Sequence, residues 1–109
     1  MAKKIDVSNF RHRISFEKEA KVPDGHKGFI VTWQTVCEVW ASVDPLSGRE
    51  YFYAHQIQNA ISHRIRIRYR TDITEAMRIK HAGRYFSIES IIDMGERREF
   101  LELRCQEGK

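Results

Sequence analysis

Proline and cysteine are scarce in this 109-residue chain, which contains two of each, and long hydrophobic runs are absent. The longest apolar stretches span three or four residues, far fewer than the roughly 18 needed to cross a bilayer. We therefore expect a soluble protein with no membrane partner. Between Met1 and Asn9 no apolar segment is followed by small residues, so no secretory signal is visible and we expect synthesis in the cytoplasm. In that reducing compartment Cys37 and Cys105, which form no Cys-x-x-Cys motif, are expected to be two buried thiols.

The motifs of common catalytic and cofactor sites are also missing. The sequence has no glycine-rich phosphate loop and no nucleophile elbow. Its five histidines stand at no metal-ligand spacing, and His12 and His63 fall on apolar faces, which is typical of core histidines. We predict no enzymatic activity, no cofactor and no metal. The enzymatic alternative is a nucleophile formed by Cys37 with a distant histidine.

The composition is that of a globular domain, with 41% hydrophobic and 31% charged residues. The length predicts a single domain over residues 1–109, with its core at about 10–106. The net charge of +4 is unevenly distributed, because residues 61–84 hold seven Lys or Arg against two acidic residues. The other stretches nearly balance one another, so any anionic partner is expected to meet this quarter of the chain.

Hydrophobic alternation with a period of two predicts several strands. The predicted strands are Phe10–Lys18, a long bulged strand Phe29–Val43, Ile61–Arg70, a hairpin of Met77–His81 with Arg84–Ile92 that has Phe86, Ile88 and Ile92 in one phase, and a closing strand Glu99–Cys105. Charges with proline and glycine predict an exposed turn over Ala20–Gly28. Asp93–Arg97 is predicted to be another turn, and Arg49–Ile57 fits either a short helix or an ordered loop. The fold class is therefore all-β and mainly antiparallel, a small barrel or sandwich of about six to seven strands with a long loop or short helix after the second strand.

The clearest strand carries four arginines at every second position. Ile61, His63, Ile65, Ile67 and Tyr69 share one face of it, and Arg64, Arg66, Arg68 and Arg70 share the other. Like charges this close repel one another unless they face solvent or an anionic surface. The basic face is therefore either a solvated outer face or a contact site for phosphates or carboxylates. Together with Tyr51, Phe52, Tyr53, Tyr69 and Tyr85 it also fits a barrel that binds single-stranded nucleic acid.

Four segments in order carry a family resemblance. They are RHRISFEK, VWASVDPLSGREYFYAHQIQ, SHRIRIRYRTDITEAMRIKHAGRYFSIESIID and ERREFLELRCQE. As an ordered set over about Phe10 to Glu107 they resemble the head-closure, or head–tail joining, proteins of long-tailed bacteriophages and prophages. Two places depart from the pattern: Thr74-Glu75-Ala76, where a proline is more usual, and Met94-Gly95 in the last turn.

The resemblance implies a structural β-barrel that forms a homo-oligomeric ring in the virion under the portal or adaptor protein and receives the tail-completion or tail-terminator protein. Its place would be the head–tail interface of a virion assembled in the host cytoplasm, with packaged DNA in the channel. The long loop of Asp44–Asn59 would project into this channel and retain DNA. The residues assigned to this assembly or channel loop are Pro45, Leu46, Ser47, Gly48, Arg49, Glu50, Tyr51, Tyr53 and Gln56. The turn of Ala20–Gly28 would contact neighbouring ring components.

Overall fold

The computed structural model describes residues 7–46 and 61–108, and antiparallel strands dominate them. The strands are β1 (His12–Pro23), β2 (Phe29–Pro45), β3 (His63–Arg68), β4 (Arg78–His81), β5 (Arg84–Asp93) and β6 (Phe100–Gly108), with short 3-10 turns at Val7–Asn9 and Met94–Glu96. The all-β expectation is confirmed, and most predicted strands recur with ends shifted by a few residues. In the described part of the chain no helix is both long and apolar enough to cross a membrane.

The six strands form one sheet that closes on itself in the order β1-β2-β3-β6-β5-β4. Every pairing is antiparallel, and closure comes from β1 against β4, where Phe16 lies opposite Ile79. On the far side β3 pairs with β6 and places Ile65 opposite Leu103. The fold is therefore a closed barrel rather than a sandwich, so the ladder hydrogen bonds of its short strands are satisfied on both edges.

Alternate residues of the strands fill the barrel. The buried cluster contains Ile14, Phe16, Ala41, Ile65, Ile67, Ile73, Ile79, Phe86, Ile88, Leu101, Leu103 and Cys105. Isoleucine dominates because a β-branched side chain fits the pleated surface with few rotamers to lose. Phe16 and Phe86 are fully buried and fill the largest share of the interior. The predicted inward face of the third strand is confirmed for Ile65 and Ile67.

Two bulges set which residues face inward. In the β1–β2 pair Phe16 lies opposite Cys37 and Glu17 opposite Thr35, so the extra residue on β2 confirms the bulge expected in this strand. In the β5–β6 pair the register shifts between Ile88 and Ser90. This second bulge was not predicted, and it turns Ile92 outward, where 36% of the residue is exposed. The prediction that Ile92 shares the phase of Phe86 and Ile88 is therefore wrong.

The β1–β2 hairpin extends beyond the barrel, and we call its residues 18–34 the arm. Pairing with the barrel is limited to Ser15–Glu17 of β1, against β4, and Ser42–Pro45 of β2, against β3. Within the described ranges, the backbone of each arm strand is paired with that of the other arm strand and with no other strand. This projection makes the chain elongated, with principal dimensions of 58 × 29 × 25 Å.

The expected loop of Ala20–Gly28 is wrong for its first four residues, which continue β1 as far as Pro23. They pair with Phe29–Thr32, whose apolar and β-branched side chains favour an extended ladder over a loop. Pro23 is tolerated because it ends the strand, where its missing N–H is least needed. The turn itself is short, since Asp24 Oδ1 accepts the backbone N–H of His26 at 2.7 Å and of Gly28 at 3.1 Å.

A stack of side chains fastens the arm to the barrel. The guanidinium of Arg78 on β4 lies 4.1 Å from the ring centre of Trp33 and 4.2 Å from that of Tyr85. The same guanidinium donates a 2.7 Å hydrogen bond to Oε1 of Glu17, which is only 8% exposed. One arginine thus links β1, β2, β4 and β5 at the base of the arm and neutralises a nearly buried carboxylate.

Of the two cysteines and the two histidines that were expected to be buried, one of each is buried. Cys105 is fully buried, and its burial raises the pKa of the thiol to about 12. Cys37 is only half-buried, so the expectation of a buried thiol is wrong there; both cysteines are free. His63 is buried as expected, at 8% exposure, whereas His12 is half-buried and packs edge-on against His81.

Candidate assembly surfaces

The four arginines of the basic face lie on the outside of β3 and the loop after it. Their cross-strand neighbours come from β2 and β6: Arg64 lies opposite both Asp44 and Arg104, and Arg66 lies opposite Glu102. Residues opposite one another in an antiparallel pair share a face. The outer surface around β3 is therefore a mixed row of arginines and carboxylates rather than an unbroken cationic strip.

Glu102 is the centre of this row. Its Oε1 accepts hydrogen bonds from Nη2 of Arg66 at 3.0 Å and from Nε of the same residue at 3.2 Å. Its Oε2 accepts one from Nε of Arg104 at 3.3 Å. Because Glu102 is only 8% exposed, it is a nearly buried carboxylate held between two guanidiniums. Arg66 therefore has an intramolecular partner.

The two later arginines differ from each other. Arg70 forms a bidentate pair with Asp72, at 2.9 and 2.8 Å, and this pair lowers the pKa of the Asp72 carboxyl. Arg68 is exposed and makes no ion pair with any residue in the described ranges. Within the basic face, Arg68 is thus the cation most available to an outside anion.

The long loop begins and ends at one rim of the barrel. Pro45 is the last residue of β2 and pairs with His63, and Leu46 N–H donates to the carbonyl of Ser62 at 3.0 Å. The N–H of Ser62 in turn donates to the carbonyl of Cys105 at 2.9 Å. Of the residues predicted for the assembly or channel loop, these bonds place Pro45 and Leu46. The others, Ser47, Gly48, Arg49, Glu50, Tyr51, Tyr53 and Gln56, lie outside the described residues, as does Arg49–Ile57.

A hydrogen-bonded cluster lies directly behind this rim. His63 Nδ1 is 2.8 Å from Ser62 Oγ, and His63 Nε2 is 3.1 Å from Nη2 of Arg84. Arg84 also holds Glu107 through two bonds of 2.7 and 2.9 Å. Because Arg84 can only donate, the neutral imidazole with its proton on Nδ1 fits both neighbours. Burial, reinforced by the positive charge of Arg84, lowers the pKa of His63.

An apolar groove of about 610 Å³ opens beside the basic face. It is lined by Val7, Phe10, Val39, Trp40, Arg68, Tyr69 and Arg70. Phe10 is braced edge-on by Phe100, with ring centres 5.8 Å apart, and Trp40 is 55% exposed. Among the described residues, the lining combines aromatic walls with the guanidiniums of Arg68 and Arg70, the second already paired with Asp72, and includes no carboxylate. This arrangement suits an apolar group that carries a negative charge.

Chemistry-bearing clusters are sparse in the part of the chain that the structure describes. No group of three or more His, Cys, Asp or Glu side chains there is arranged to hold a metal ion. For Cys37, burial raises the pKa of the thiol although Arg70 opposes this, so the residue lacks the depressed thiol pKa of a typical nucleophile.

These features define a class of protein: a small closed barrel with a projecting arm, whose prominent surfaces are suited to contacts with other macromolecules. The sequence identifies the family within this class, because the model of the phage head completion protein family matches residues 5–108 of the chain. The chain belongs to this family, and it is a structural protein of a phage-type head. It has no match among curated proteins.

Solved structures with the same fold include two informative neighbours. Protein SF1141 from Shigella flexneri 2a is 31% identical with a TM-score of 0.77, and the match covers 95% of this chain and 97% of that one. A chain in the virion of a native gene transfer agent particle is 19% identical with a TM-score of 0.57, over 90% of this chain and 94% of that one. The second likeness is one of fold alone.

Proposed function

We propose that the protein completes the head at the portal vertex, forming a ring under the portal or adaptor protein, retaining packaged DNA and offering the attachment surface for the tail. The observation that carries this proposal is the match to the head completion family across nearly the whole described chain. Completing a head requires that an opening be narrowed and a second structure be attached. A rigid barrel with several separate contact surfaces suits both tasks.

The loop between β2 and β3 supports a role in DNA retention. Residues 47–60 leave and re-enter the barrel at one rim, between Leu46 and Ile61, and the bond from Leu46 to Ser62 fixes this junction. Changes to the sequence between Leu46 and Ile61 therefore leave the described ladder behind this rim in place. In a ring, repetition about the axis would bring one such loop per subunit towards the opening.

The experiment is a deletion of Leu46–Gln56 in the phage genome. Six residues, 57–62, would remain between Pro45 and His63, which is enough for an ordinary hairpin connection. The purified variant should keep its urea midpoint, whereas lysates should contain filled heads that leak DNA or lack tails, as seen by electron microscopy. A Gly/Ser segment of equal length in the same position serves as the control for spacing. Tailed, infectious particles from the deletion would remove the loop from the mechanism.

Attachment to the portal region is tested by co-purification. Heads isolated from infected cells should contain this protein with the portal or adaptor protein, and heads made without it should not bind tails. Tail binding by heads that lack the protein would refute the attachment role.

A free-standing role in binding single-stranded nucleic acid has less support. Arg66 and Arg70 are already held by Glu102 and Asp72, so the monomer presents less free charge than the sequence predicts. Such a role requires tight binding by the monomer and its loss in the double variant Arg66→Glu with Arg68→Glu, measured by fluorescence anisotropy at two salt concentrations.

A further inference from the structure

The exposed apolar side chains of the molecule are concentrated in two places. The large hydrophobic residues that are exposed within the described ranges are Val7, Val22, Phe29, Ile30, Val31, Trp40 and Ile92. Four of these seven belong to the arm, and Val7 and Trp40 line the groove. The arm residues occupy both faces of the hairpin, because Val22 and Ile30 are partners on one face and Phe29 and Val31 lie on the other. Exposed apolar surface of this kind marks sites of association.

From these observations we propose that the arm of one copy inserts into the groove of the next copy, and that this repeated contact builds the ring. The inference rests on the proposed function, because it supplies the contact that the assembly needs. The arm projects from the barrel and the groove is a recess of about 610 Å³, so the groove can receive side chains at the tip of the arm but not the whole ribbon.

The tip of the arm also carries the chemistry that the groove accepts. Phe29 is 66% exposed and follows directly on the turn that Asp24 holds together. Both turn bonds go to Asp24 Oδ1, so Oδ2, which lies beside Gly28, accepts neither of them. Arg68 at the groove has no ion pair among the described residues. An aromatic ring would thus enter beside Trp40 while a carboxylate meets a guanidinium. The turn also contains Lys27, so the attraction comes from the local pair of Asp24 and Arg68 and not from the net charge of the turn.

The positions of the two surfaces exclude a contact within one molecule. Trp40 and Phe29 are eleven residues apart on β2, which corresponds to roughly 35 Å along an extended strand. The arm of one copy therefore reaches only the groove of another. A contact between two different surfaces is heterologous, and its repetition gives a closed ring when the rotation closes.

The size of the arm indicates a weak individual contact. Six residue pairs join residues 18–23 to 29–34 and form a ribbon about 20 Å long and about 10 Å wide. Its two faces offer on the order of 400 Å², about half the per-partner area of a standard interface. Two free copies would therefore associate weakly, whereas copies that are lined up on a symmetric platform would close the ring cooperatively.

Disulfide trapping suits a weak contact of defined geometry. The full chain with Phe29→Cys and Trp40→Cys, oxidised at about 1 mM protein, should give a ladder of covalent oligomers on a non-reducing gel. With Cys37 replaced by serine in every chain, a mixture of the two single variants should stop at one heterodimer, because each chain then offers one accessible thiol besides the buried Cys105. The matched control is Phe29→Cys with Ile92→Cys, since Ile92 is exposed outside both surfaces. It should yield at least about tenfold less oligomer.

The inference would be overturned if the double variant stayed monomeric, or if the control pair gave an equal ladder of oligomers. It would also be overturned if Phe29→Cys alone gave as much dimer as the mixture, because that result would indicate pairing of one arm with another. A disulfide formed with an added portal-region protein, instead of with a second copy of this chain, would likewise overturn the inference, because the groove would then be the binding site of that protein. Failure of the proposed function is distinguishable, because it appears as the absence of the protein from purified heads, whatever the gel shows.

Discussion

Strands β1 and β2 run through both the barrel and the arm, and their residues have opposite environments in the two regions. In the barrel, Ile14 of β1 is fully buried, with β2 on one side and β4 nearby on the other. In the arm, Ile30 of β2 is 54% exposed and has only β1 beside it. A two-stranded hairpin is marginally stable alone. The barrel therefore supplies the stability, and the arm is held extended by its attachment to the barrel.

The arm is also unequal across its width. Its β1 side carries Lys18 and Lys21 and ends at Pro23, the residue types that protect an open sheet edge against unwanted pairing. Its β2 side, Phe29–Gln34, has no charged residue. One edge is thus protected and the other is left available, as expected of a segment that meets a specific partner.

The largest expected effect belongs to the barrel core. Replacing Phe86, which is fully buried and packs against His63 with ring centres 5.0 Å apart, by alanine should lower the free energy of unfolding by about 3–5 kcal/mol. Urea denaturation followed by circular dichroism measures this. Phe86→Leu, which leaves a smaller cavity, is the control and should cost under about 1.5 kcal/mol. A loss below about 1 kcal/mol for the alanine variant would show that the barrel is not the stable part.

The next effect concerns the base of the arm. Arg78→Ala should cost about 2 kcal/mol, because it leaves the nearly buried carboxylate of Glu17 unpaired and removes the stack between Trp33 and Tyr85. Arg78→Lys should recover only part of this, since an ammonium lacks the planar stacking surface. Lys80→Ala, at an exposed position on the same face of β4, is the control: it removes only a longer contact, 5.9 Å from the ring centre of Tyr85, and should lower the free energy of unfolding by less than about 0.5 kcal/mol.

Hydrogen exchange separates the two consequences of the Arg78 change. Amide protection in the arm should fall more than protection in β3 and β6, because Arg78 joins the arm to the barrel. Equal loss of protection throughout the molecule would mean that the arm and the barrel unfold as one unit, which would remove the distinction between them.

Sequence patterning predicts the two faces of a strand but not the strands that lie beside it. The alternation in β3 predicts its buried and exposed faces, because strict period-two patterning survives any choice of neighbouring strand. The neighbours themselves are not predictable in this way. Glu102 reaches Arg66 across 36 residues of sequence, so the basic face looks unbroken in the sequence and is partly neutralised in the structure.

The arm was missed for a different physical reason. Ala20–Pro23 contains lysine, valine and proline in a pattern that local rules assign to a turn, and only its pairing with Phe29–Thr32 makes it a strand. Likewise the bulge at Glu89 has no local signature, so Ile92 was placed on the wrong face. The groove is formed by residues from three separate parts of the chain, so no short sequence motif predicts it.

A smaller effect is expected from acid at the loop rim of the barrel. The pKa of His63 is lowered from 6.5, first by burial and then by Arg84, with Glu107 opposing. The unfolded chain therefore binds a proton more readily than the native one. The free energy of unfolding should be highest above about pH 6.5, the pKa of His63 in the unfolded chain, and should fall as the pH drops below this value towards the lowered pKa of the native state. The unfolding midpoint in urea between pH 7 and 5 measures this and avoids most carboxyl titration.

His63→Gln keeps an acceptor near Arg84 without a titratable ring and should flatten this pH dependence. His26→Gln, at the exposed turn of the arm, is the control and should leave the wild-type slope. If the urea midpoint of His63→Gln still fell with pH as in the wild type, the acid sensitivity would belong to other groups. If His26→Gln reduced the pH dependence equally, the sensitivity would belong to the arm.

The smallest effect on stability is expected in the arm itself, where it is most informative. Ile30→Thr retains the β-branched shape that suits a strand and removes apolar surface that is already 54% exposed, so the free energy of unfolding should change by less than about 0.5 kcal/mol. If the arm is an assembly surface, the same change should reduce the yield of tailed particles in an infection assay. A stability loss as large as that of a core variant would instead mean that the arm belongs to the fold. If Ile30→Thr changed neither the yield of tailed particles nor the free energy of unfolding, the exposed apolar residues of the arm would have no role in assembly. Stability and assembly therefore have to be measured on the same variant, because only their divergence separates a segment kept for folding from one kept for its partners.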